Sequence, residues 1–194
     1  TFDSTTGNVP VTFRHACAWI DFRIYAENDV ADGKFSIYDA TLSDIYWGGT
    51  FKSDDGNGNP VWELPDLGNL GGNVDRSDVF KDNVVLFNNT GTADANDDEE
   101  FVKVRVLDKD SFLLGGLMVI PQEVNSAVTI QYKQFTSDSG KPLLETFTVD
   151  LGTYTNEWEM GKHYVYDIVF GLDEIRVAPS TMDWEPVNSV VSVN

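Results

Sequence analysis

Alternation of apolar and polar residues with a period of two is the feature that most constrains the fold of this chain. The run VTIQY alternates in this way at residues 128–132, FVKVRVL alternates at residues 101–107, and FTVDL and YVYDIVF follow the same pattern. Successive side chains of a strand point to opposite faces, so the pattern predicts strands with one buried face. No long run has apolar residues at the spacing of an amphipathic helix.

Turn-forming residues separate the strand-like runs, as in NDVADG, DDGNGNP and SDSGKP. No break divides the 194 residues into two self-sufficient halves, and 41% of the residues are hydrophobic, which is enough for a core. The sequence therefore predicts a single all-β domain over residues 1–194, folded as a mostly antiparallel β-sandwich. The predicted strands cover roughly residues 9–25, 34–42, 45–51, 60–64, 79–87, 101–107, 117–120, 126–135, 143–151, 163–170 and 181–193.

The same alternation predicts which side chains form the core, and a proline marks the end of one strand. Pro121 in VIPQ is expected to end a strand or to lie at an edge or bulge, because proline cannot donate to a ladder. The predicted core side chains are Ile20, Phe22, Val104, Ile120, Ile130, Tyr132, Phe147, Tyr166 and Ile168.

The first predicted strand is apolar on both faces in its first half. Ala16 and Ala18 would lie on one face, and Phe13, Cys17 and Trp19 on the other. A strand that is apolar on both sides needs cover on both sides. An internal loop, a further domain or a neighbouring subunit could each provide that cover.

Charge and cysteine content limit the partners and the chemistry. The formal net charge of -19 disfavours nucleic acid and anionic lipid as partners. Cys17 is the only cysteine, so no intrachain disulfide forms, and its apolar neighbours predict a buried, unreactive thiol.

The longest apolar run, FLLGGLMVI, is too short to cross a bilayer, and the start at Thr1 suggests a processed or trimmed N-terminus.

No catalytic constellation is evident. The two histidines have no G-x-S-x-G serine beside them, and no HExxH or P-loop occurs, so we expect no enzymatic activity and no cofactor. His15 is expected to be a histidine at the edge of the core, bonded to backbone. The acidic run at residues 94–100 is interpreted as a solvated loop, because 32 carboxylates make chance pairs unavoidable.

Two local patterns could bind a ligand. Asp55, Asn57 and Asn59 match the start of a calcium loop, but Pro60 stands where the glycine belongs, so we predict no metal and leave calcium at Asp55 as the alternative. Of five tryptophans, only Trp47 and Trp62, near this loop, remain candidates for stacking on a sugar; the others fall within or beside strand patterns, where core packing is the default.

Several motifs in order resemble a known family. VPVTFRHACAWIDFRI, ATLSDIYWGGTF followed by VWEL, GGLMVIPQEVNSAVTIQY, and WEMGKHYVYDIVF followed by STMDW run from Val9 to Trp184. Together they resemble the C-terminal domain of Bacteroidales-type fimbrillins, the Mfa-like family of type V pilus subunits.

The resemblance implies a transthyretin-like β-sandwich that is exported to the cell surface and assembles with other fimbrial subunits by strand exchange, without catalysis or cofactor. It implies an extracytoplasmic location, at the outer-membrane surface or in the fimbrium. Membrane attachment would be through a lipidated N-terminal part that this chain lacks. A stalk, anchor or tip role, and any host or glycan ligand, stay open. The alternative function is a surface carbohydrate-binding β-sandwich module, and a glycoside hydrolase accessory domain is a more distant one.

The C-terminal segment 185–194 is a candidate exchangeable strand. Val187, Val191 and Val193 fall on one face of a strand-prone segment that is nearly free of charge. It is either an ordinary closing strand of its own sandwich or a donor strand that completes the sheet of a neighbour. In the second case, Phe13 and Trp19 would help to line the acceptor.

Overall fold

The computed structural model describes residues 8–28, 30, 34–88, 110, 112–134, 143–184 and 187–192. Within them lie one short helix, α1 (Arg76–Val79), and a 3-10 turn (Leu151–Thr153). The strands in chain order are β1 (Asn8–Phe13), β2 (Ala18–Ala26), β3 (Phe35–Tyr46), β4 (Thr50–Lys52), β5 (Val61–Glu63), β6 (Phe80–Asn88), β7 (Phe112–Val119), β8 (Gln122–Glu123), β9 (Ala127–Gln134), β10 (Leu143–Asp150), β11 (Glu157–Trp158), β12 (Lys162–Phe170), β13 (Ile175–Asp183) and β14 (Val187–Ser192).

Two four-stranded sheets form the body of the domain. Sheet I has the strand order β10-β9-β3-β6, and sheet II has the order β13-β12-β2-β7. The described pairs are antiparallel except β2 with β12, which is parallel. The predicted all-β, mostly antiparallel sandwich is confirmed.

The core lies between the two sheets and follows the predicted alternation. In β2, every second residue from Ala18 to Ala26 is buried, and the residues between them are half-buried or exposed. Among the described residues, the largest fully buried side chains include Phe22 in sheet II and Ile130 in sheet I. Of the predicted core residues, Ile20, Phe22, Ile120, Ile130, Tyr166 and Ile168 are buried, Tyr132 and Phe147 pack against the core while partly exposed, and Val104 lies outside the described residues.

Several strand boundaries differ from the prediction. The predicted strand 9–25 is interrupted at residues 14–17, which separate β1 from β2. The predicted strands 34–42 and 45–51 are instead one strand, β3, followed by the short β4. Asp44 has a positive φ of 57° inside β3, so the chain accommodates an irregular residue there without ending the strand. The predicted strand 101–107 and the acidic run 94–100 lie outside the described residues.

The C-terminal region also differs, because it contains two strands. The predicted strand 181–193 spans a break at Trp184, with β13 ending before it and β14 starting after it. β13 begins at Ile175 and contains Pro179, and it forms the edge of sheet II. An edge strand tolerates proline, because the missing N–H faces away from the ladder. Pro121 lies between β7 and β8, at the end of a strand as predicted.

β1 and β14 form a separate two-stranded ladder, which we call the arm. Six residues of each strand pair antiparallel, from Asn8 opposite Ser192 to Phe13 opposite Val187. Within the described backbone, the arm belongs to neither four-stranded sheet. Among the described residues, no helix is long and apolar enough to cross a membrane.

Candidate functional site

The arm brings together most of the residues predicted to act in assembly. Phe13 pairs with Val187, and Val9 pairs with Val191, in one ladder of one chain. Val193 lies outside the described residues. Trp19 does not belong to the arm; it lies in β2, close to the point where the arm joins the body. The role of these residues in assembly stays a prediction.

An aromatic clasp, formed by His15, Trp19 and Trp184, lies at the base of the arm. The rings of His15 and Trp184 stack with centroids 3.5 Å apart and an interplanar angle of 7°. The Trp19 ring meets Trp184 edge-on, with centroids 5.8 Å apart. His15 follows β1 and Trp184 precedes β14, so the stack joins the two chain segments that enter the arm. His15 is expected from the sequence to bond to backbone. In the structure, its ring stacks on Trp184.

Backbone hydrogen bonds also join Trp184, at the base of the arm, to the body of the domain. The N–H of Trp184 donates to the carbonyl of Gly161 at 2.7 Å, and the N–H of Gly161 donates to the carbonyl of Cys17 at 3.0 Å. Gly161 has a φ of 72°, in the left-handed region that favours glycine. The turn before β12 therefore connects the end of β13 to the break between β1 and β2.

The Asp21 carboxylate contacts two neighbouring side chains, Trp19 of the clasp and His163. The indole N–H of Trp19 donates to Asp21 Oδ1 at 2.8 Å, and Nε2 of His163 lies 2.9 Å from Asp21 Oδ2. Gly116 leaves room for this pair, because a Cβ there would lie 2.5 Å from Asp21 Oδ1 and 3.1 Å from the Trp19 ring. These polar contacts orient an indole and an imidazole on the outer side of sheet II.

An internal segment covers the interrupted strand on another side. The indole N–H of Trp62, in β5, donates to the carbonyl of Ala16 at 2.6 Å. Gly49 lies against the same indole, since a Cβ there would be 3.5 Å from the Trp62 ring. The half-buried Cys17 follows Ala16, and burial raises the pKa of its thiol above the usual range. This contact is of the kind expected from an internal loop, and a further domain or a neighbouring subunit as cover stays a prediction.

The two ligand-binding candidates from the sequence have different surroundings. The indole N–H of Trp62 is hydrogen-bonded to Ala16, and the Trp62 ring centroid lies 5.3 Å from that of Phe51. Trp47, in contrast, is 54% exposed. Asp55 accepts hydrogen bonds from the backbone N–H groups of Asn57 and Asn59, which lower the pKa of its carboxyl. In the part of the chain that the structure describes, no three His, Cys, Asp or Glu side chains are grouped as metal ligands. The Asp55 carboxylate, which the calcium hypothesis needs as a ligand, is hydrogen-bonded to backbone N–H groups of its own loop.

Comparisons with known proteins agree with the architecture. A family model described as fimbrillin-like matches residues 1–184. A fimbrial protein from Bacteroides vulgatus ATCC 8482 superposes with a TM-score of 0.58 at 18% identity, over 89% of this chain and 55% of that one. A protein proposed to act in cell adhesion, from Bacteroides uniformis ATCC 8492, gives a TM-score of 0.49 at 11% identity, over 95% of this chain and 69% of that one. A comparison with proteins of curated function finds no match.

The two sheets and the separate arm define an all-β sandwich with a peripheral terminal strand pair. The match over residues 1–184 covers most of the 194 residues, and the chain belongs to the fimbrillin-like family. The likeness to the B. vulgatus protein is a likeness of fold, because the identity is only 18%. The chain spans 55% of the length of that protein.

Proposed function

We propose that this domain is a structural or adhesive subunit of a bacterial surface fimbria and that it assembles by exchange of its C-terminal strand. The observation that carries the proposal is the separate ladder of β1 with β14. A strand that pairs outside the two sheets can change partners while both sheets stay intact. Membership of the fimbrillin-like family supports the fimbrial role.

In such an exchange, pairing between subunits competes with pairing inside the closed arm of each subunit. β14 of one subunit would pair with β1 of the next in the same register, so the hydrogen bonds lost in one ladder are regained in the other. The closed arm has the advantage of a high effective concentration, since both strands belong to one chain. Exchange therefore needs a high local density of subunits or an event that opens the arm first.

The composition of β14 suits pairing with another copy of an acidic chain. VNSVVS contains no charged residue, whereas the whole chain has a formal net charge of -19. Strands that must stay single are usually protected by charge or proline. Main-chain hydrogen bonds provide affinity in strand addition, and alternate side chains provide selectivity.

Location and partners follow from this proposal. The partners are other fimbrial subunits, the location is extracytoplasmic at the outer-membrane surface or in the fimbrium, and the domain has no enzymatic role.

The test is deletion of Val187–Asn194 in the full precursor. The expected result is a monomer with an unchanged sandwich, by far-UV circular dichroism, that no longer forms fibres under the electron microscope. The control is Val85→Ser, which replaces an exposed valine on the outer side of sheet I, away from the arm. This variant should still form fibres. Fibres that form normally without the segment contradict strand exchange. Loss of the monomer fold instead identifies β14 as an ordinary closing strand.

A further inference from the structure

The hairpin loop between β4 and β5 contains a chemically labile dipeptide. Asn57-Gly58 is the only Asn-Gly pair in the sequence, and both residues are exposed in the structure. Asparagine is among the least heat-stable residues of proteins, because its side-chain amide can be lost as ammonia. A following glycine has no Cβ to shield its backbone nitrogen, so that nitrogen can reach the asparagine side chain. The loop therefore holds a sequence that is prone to deamidation.

The reaction at this dipeptide needs only the chain itself and water. The backbone nitrogen of Gly58 attacks Cγ of Asn57, a bond forms between them, and the bond from Cγ to Nδ2 breaks. Ammonia leaves and carries away the proton that the Gly58 nitrogen gave up, so the first product is a cyclic succinimide. Water then adds to one of the two carbonyl carbons and opens the ring, which gives aspartate or isoaspartate.

One carboxylate binds the nitrogen that would attack. Oδ1 of Asp54 accepts hydrogen bonds from the backbone N–H groups of Gly56 and Gly58, each at 2.7 Å. The two glycines have φ values of 95° and 88°, which residues with a side chain rarely adopt. Attack requires the Gly58 nitrogen to give up its proton. A hydrogen bond from the neutral N–H to a negative carboxylate disfavours the deprotonated form, so this geometry opposes closure of the ring.

The neighbouring Asp55 carboxylate binds other N–H groups of the same loop. It accepts hydrogen bonds from Asn57 and Asn59, at 2.7 and 3.3 Å, and these bonds lower the pKa of its carboxyl. Asp55 precedes Gly56, and an Asp-Gly pair can form the same ring, but only from the protonated carboxyl, because water must leave. A lowered pKa keeps Asp55 ionised, so Asn57 is the residue of this loop at which the ring forms first.

We propose that Asn57 is a site of spontaneous deamidation and that the Asp54 carboxylate restrains the reaction by holding the N–H of Gly58. The product carries a carboxylate in place of a neutral amide, and isoaspartate also adds a carbon to the main chain. The N–H of Asp55 donates to the carbonyl of Asn59 at 2.8 Å and closes the loop around this point, so a longer main chain changes the loop. The proposal is independent of the proposed strand exchange, because this loop belongs to the hairpin of β4 and β5 and not to the arm.

The test follows the whole chain during incubation in mildly alkaline buffer. Peptide mass spectrometry measures the conversion of each asparagine, and enzymatic methylation measures isoaspartate. In the parent chain, Asn57 should convert faster than the other described asparagines. Asp54→Ala should raise the rate at Asn57 about three- to tenfold, the factor that corresponds to the net loss of one hydrogen bond that opposes the reaction. Asp54→Asn keeps an acceptor oxygen without the charge and should give a smaller increase.

The matched control is Asp66→Ala in a different exposed loop. Asp66 also accepts a hydrogen bond from the N–H of a glycine two residues later, Gly68, at 2.9 Å. The control therefore removes a carboxylate with the same local role and leaves the loop of Asn57 unchanged. It should convert at Asn57 at the rate of the parent chain. The far-UV circular dichroism of all three variants should match that of the parent chain, since each substitution lies in an exposed loop.

The rates at Asn57 decide both parts of the proposal. Equal rates in Asp54→Ala and the parent chain contradict restraint by Asp54, as does an equal rise in Asp66→Ala. A slower rate in Asp54→Ala contradicts it as well, because the carboxylate would then promote the reaction by taking the proton of Gly58. Absence of conversion at Asn57 in Asp54→Ala, under conditions that convert an unfolded peptide of the same sequence, overturns the site itself.

Discussion

Replacement of Trp184 by alanine tests whether the aromatic clasp holds the arm to the body. The substitution removes a stack with His15 at 3.5 Å and an edge contact with Trp19 at 5.8 Å. Aromatic pairs of this kind contribute about 0.5–1.5 kcal/mol each beyond the area they bury. A fully buried tryptophan costs about 3–5 kcal/mol when replaced by alanine, and Trp184 is only half-buried. We therefore expect a loss of about 2–3 kcal/mol in the free energy of unfolding.

The assay is thermal unfolding followed by circular dichroism. For a chain of this size, about 1 kcal/mol shifts the Tm by about 2–4 °C, so Trp184→Ala should lower the Tm by roughly 5–10 °C. The matched control is Trp47→Ala, which removes an indole that is 54% exposed. It should cost under about 1 kcal/mol, because surface substitutions usually change stability little.

A double-mutant cycle isolates the stack itself. His15→Ala, Trp184→Ala and the double variant should give a coupling energy of about 0.5–1.5 kcal/mol between the two rings. Hydrogen exchange adds a local measurement: the amides of β14 should exchange faster in Trp184→Ala, while those of β12 stay protected. A coupling energy near zero, or equal Tm losses in the Trp184 and Trp47 variants, refutes the clasp as the element that holds the arm.

Two further predictions concern the body of the domain. Burial raises the pKa of Tyr166 to about 12, so folding favours its neutral form; this stabilisation is complete below pH 10 and is lost between pH 10 and about 12. Unfolding free energies measured over this range should fall less steeply in Tyr166→Phe than in the parent chain, and equal slopes would contradict the assignment. Gly152→Ala should cost about 1–3 kcal/mol, because its Cβ would lie 2.6 Å from the carbonyl oxygen of Val124. Gly72→Ala, where nothing lies within 4 Å, is the control and should change stability by less than about 0.5 kcal/mol in denaturant unfolding.

The sequence predicts those parts of the fold that depend on local alternation. In β2 the pleat and the apolar spacing agree, so Ile20 and Phe22 were correctly assigned to the core. The interruption at residues 14–17 was not predicted, because no turn-forming residue separates the apolar first half of the predicted strand from its alternating second half. What ends β1 there is non-local: the carbonyls of Ala16 and Cys17 bond to Trp62 and Gly161, which are far away in sequence.

The candidate site was predicted only in part for the same reason. Strand tendency and lack of charge identified Val187 and Val191 as members of a terminal strand, and Phe13 as a residue of the opening strand. Periodicity carries no information on pairing partners, so the parallel pairing of β2 with β12 and the ladder of β1 with β14 could not be derived. The clasp depends on that ladder, since pairing Phe13 with Val187 is what brings His15 close to Trp184.

The separation of arm and body has a consequence for how subunits could join. The core cluster is built from the facing sides of the two sheets, and Phe22 and Ile168, on adjacent strands of sheet II, are buried there. If the exchanged strand lay within a sheet, its departure would expose such side chains to water at about 25 cal/mol per Å² of apolar surface. Opening the arm instead leaves the ladders of both sheets in place and frees the backbone groups of two six-residue strands, which water can satisfy. The proposed exchange through the arm would therefore leave the ladders of both sheets paired while the strand changes partner.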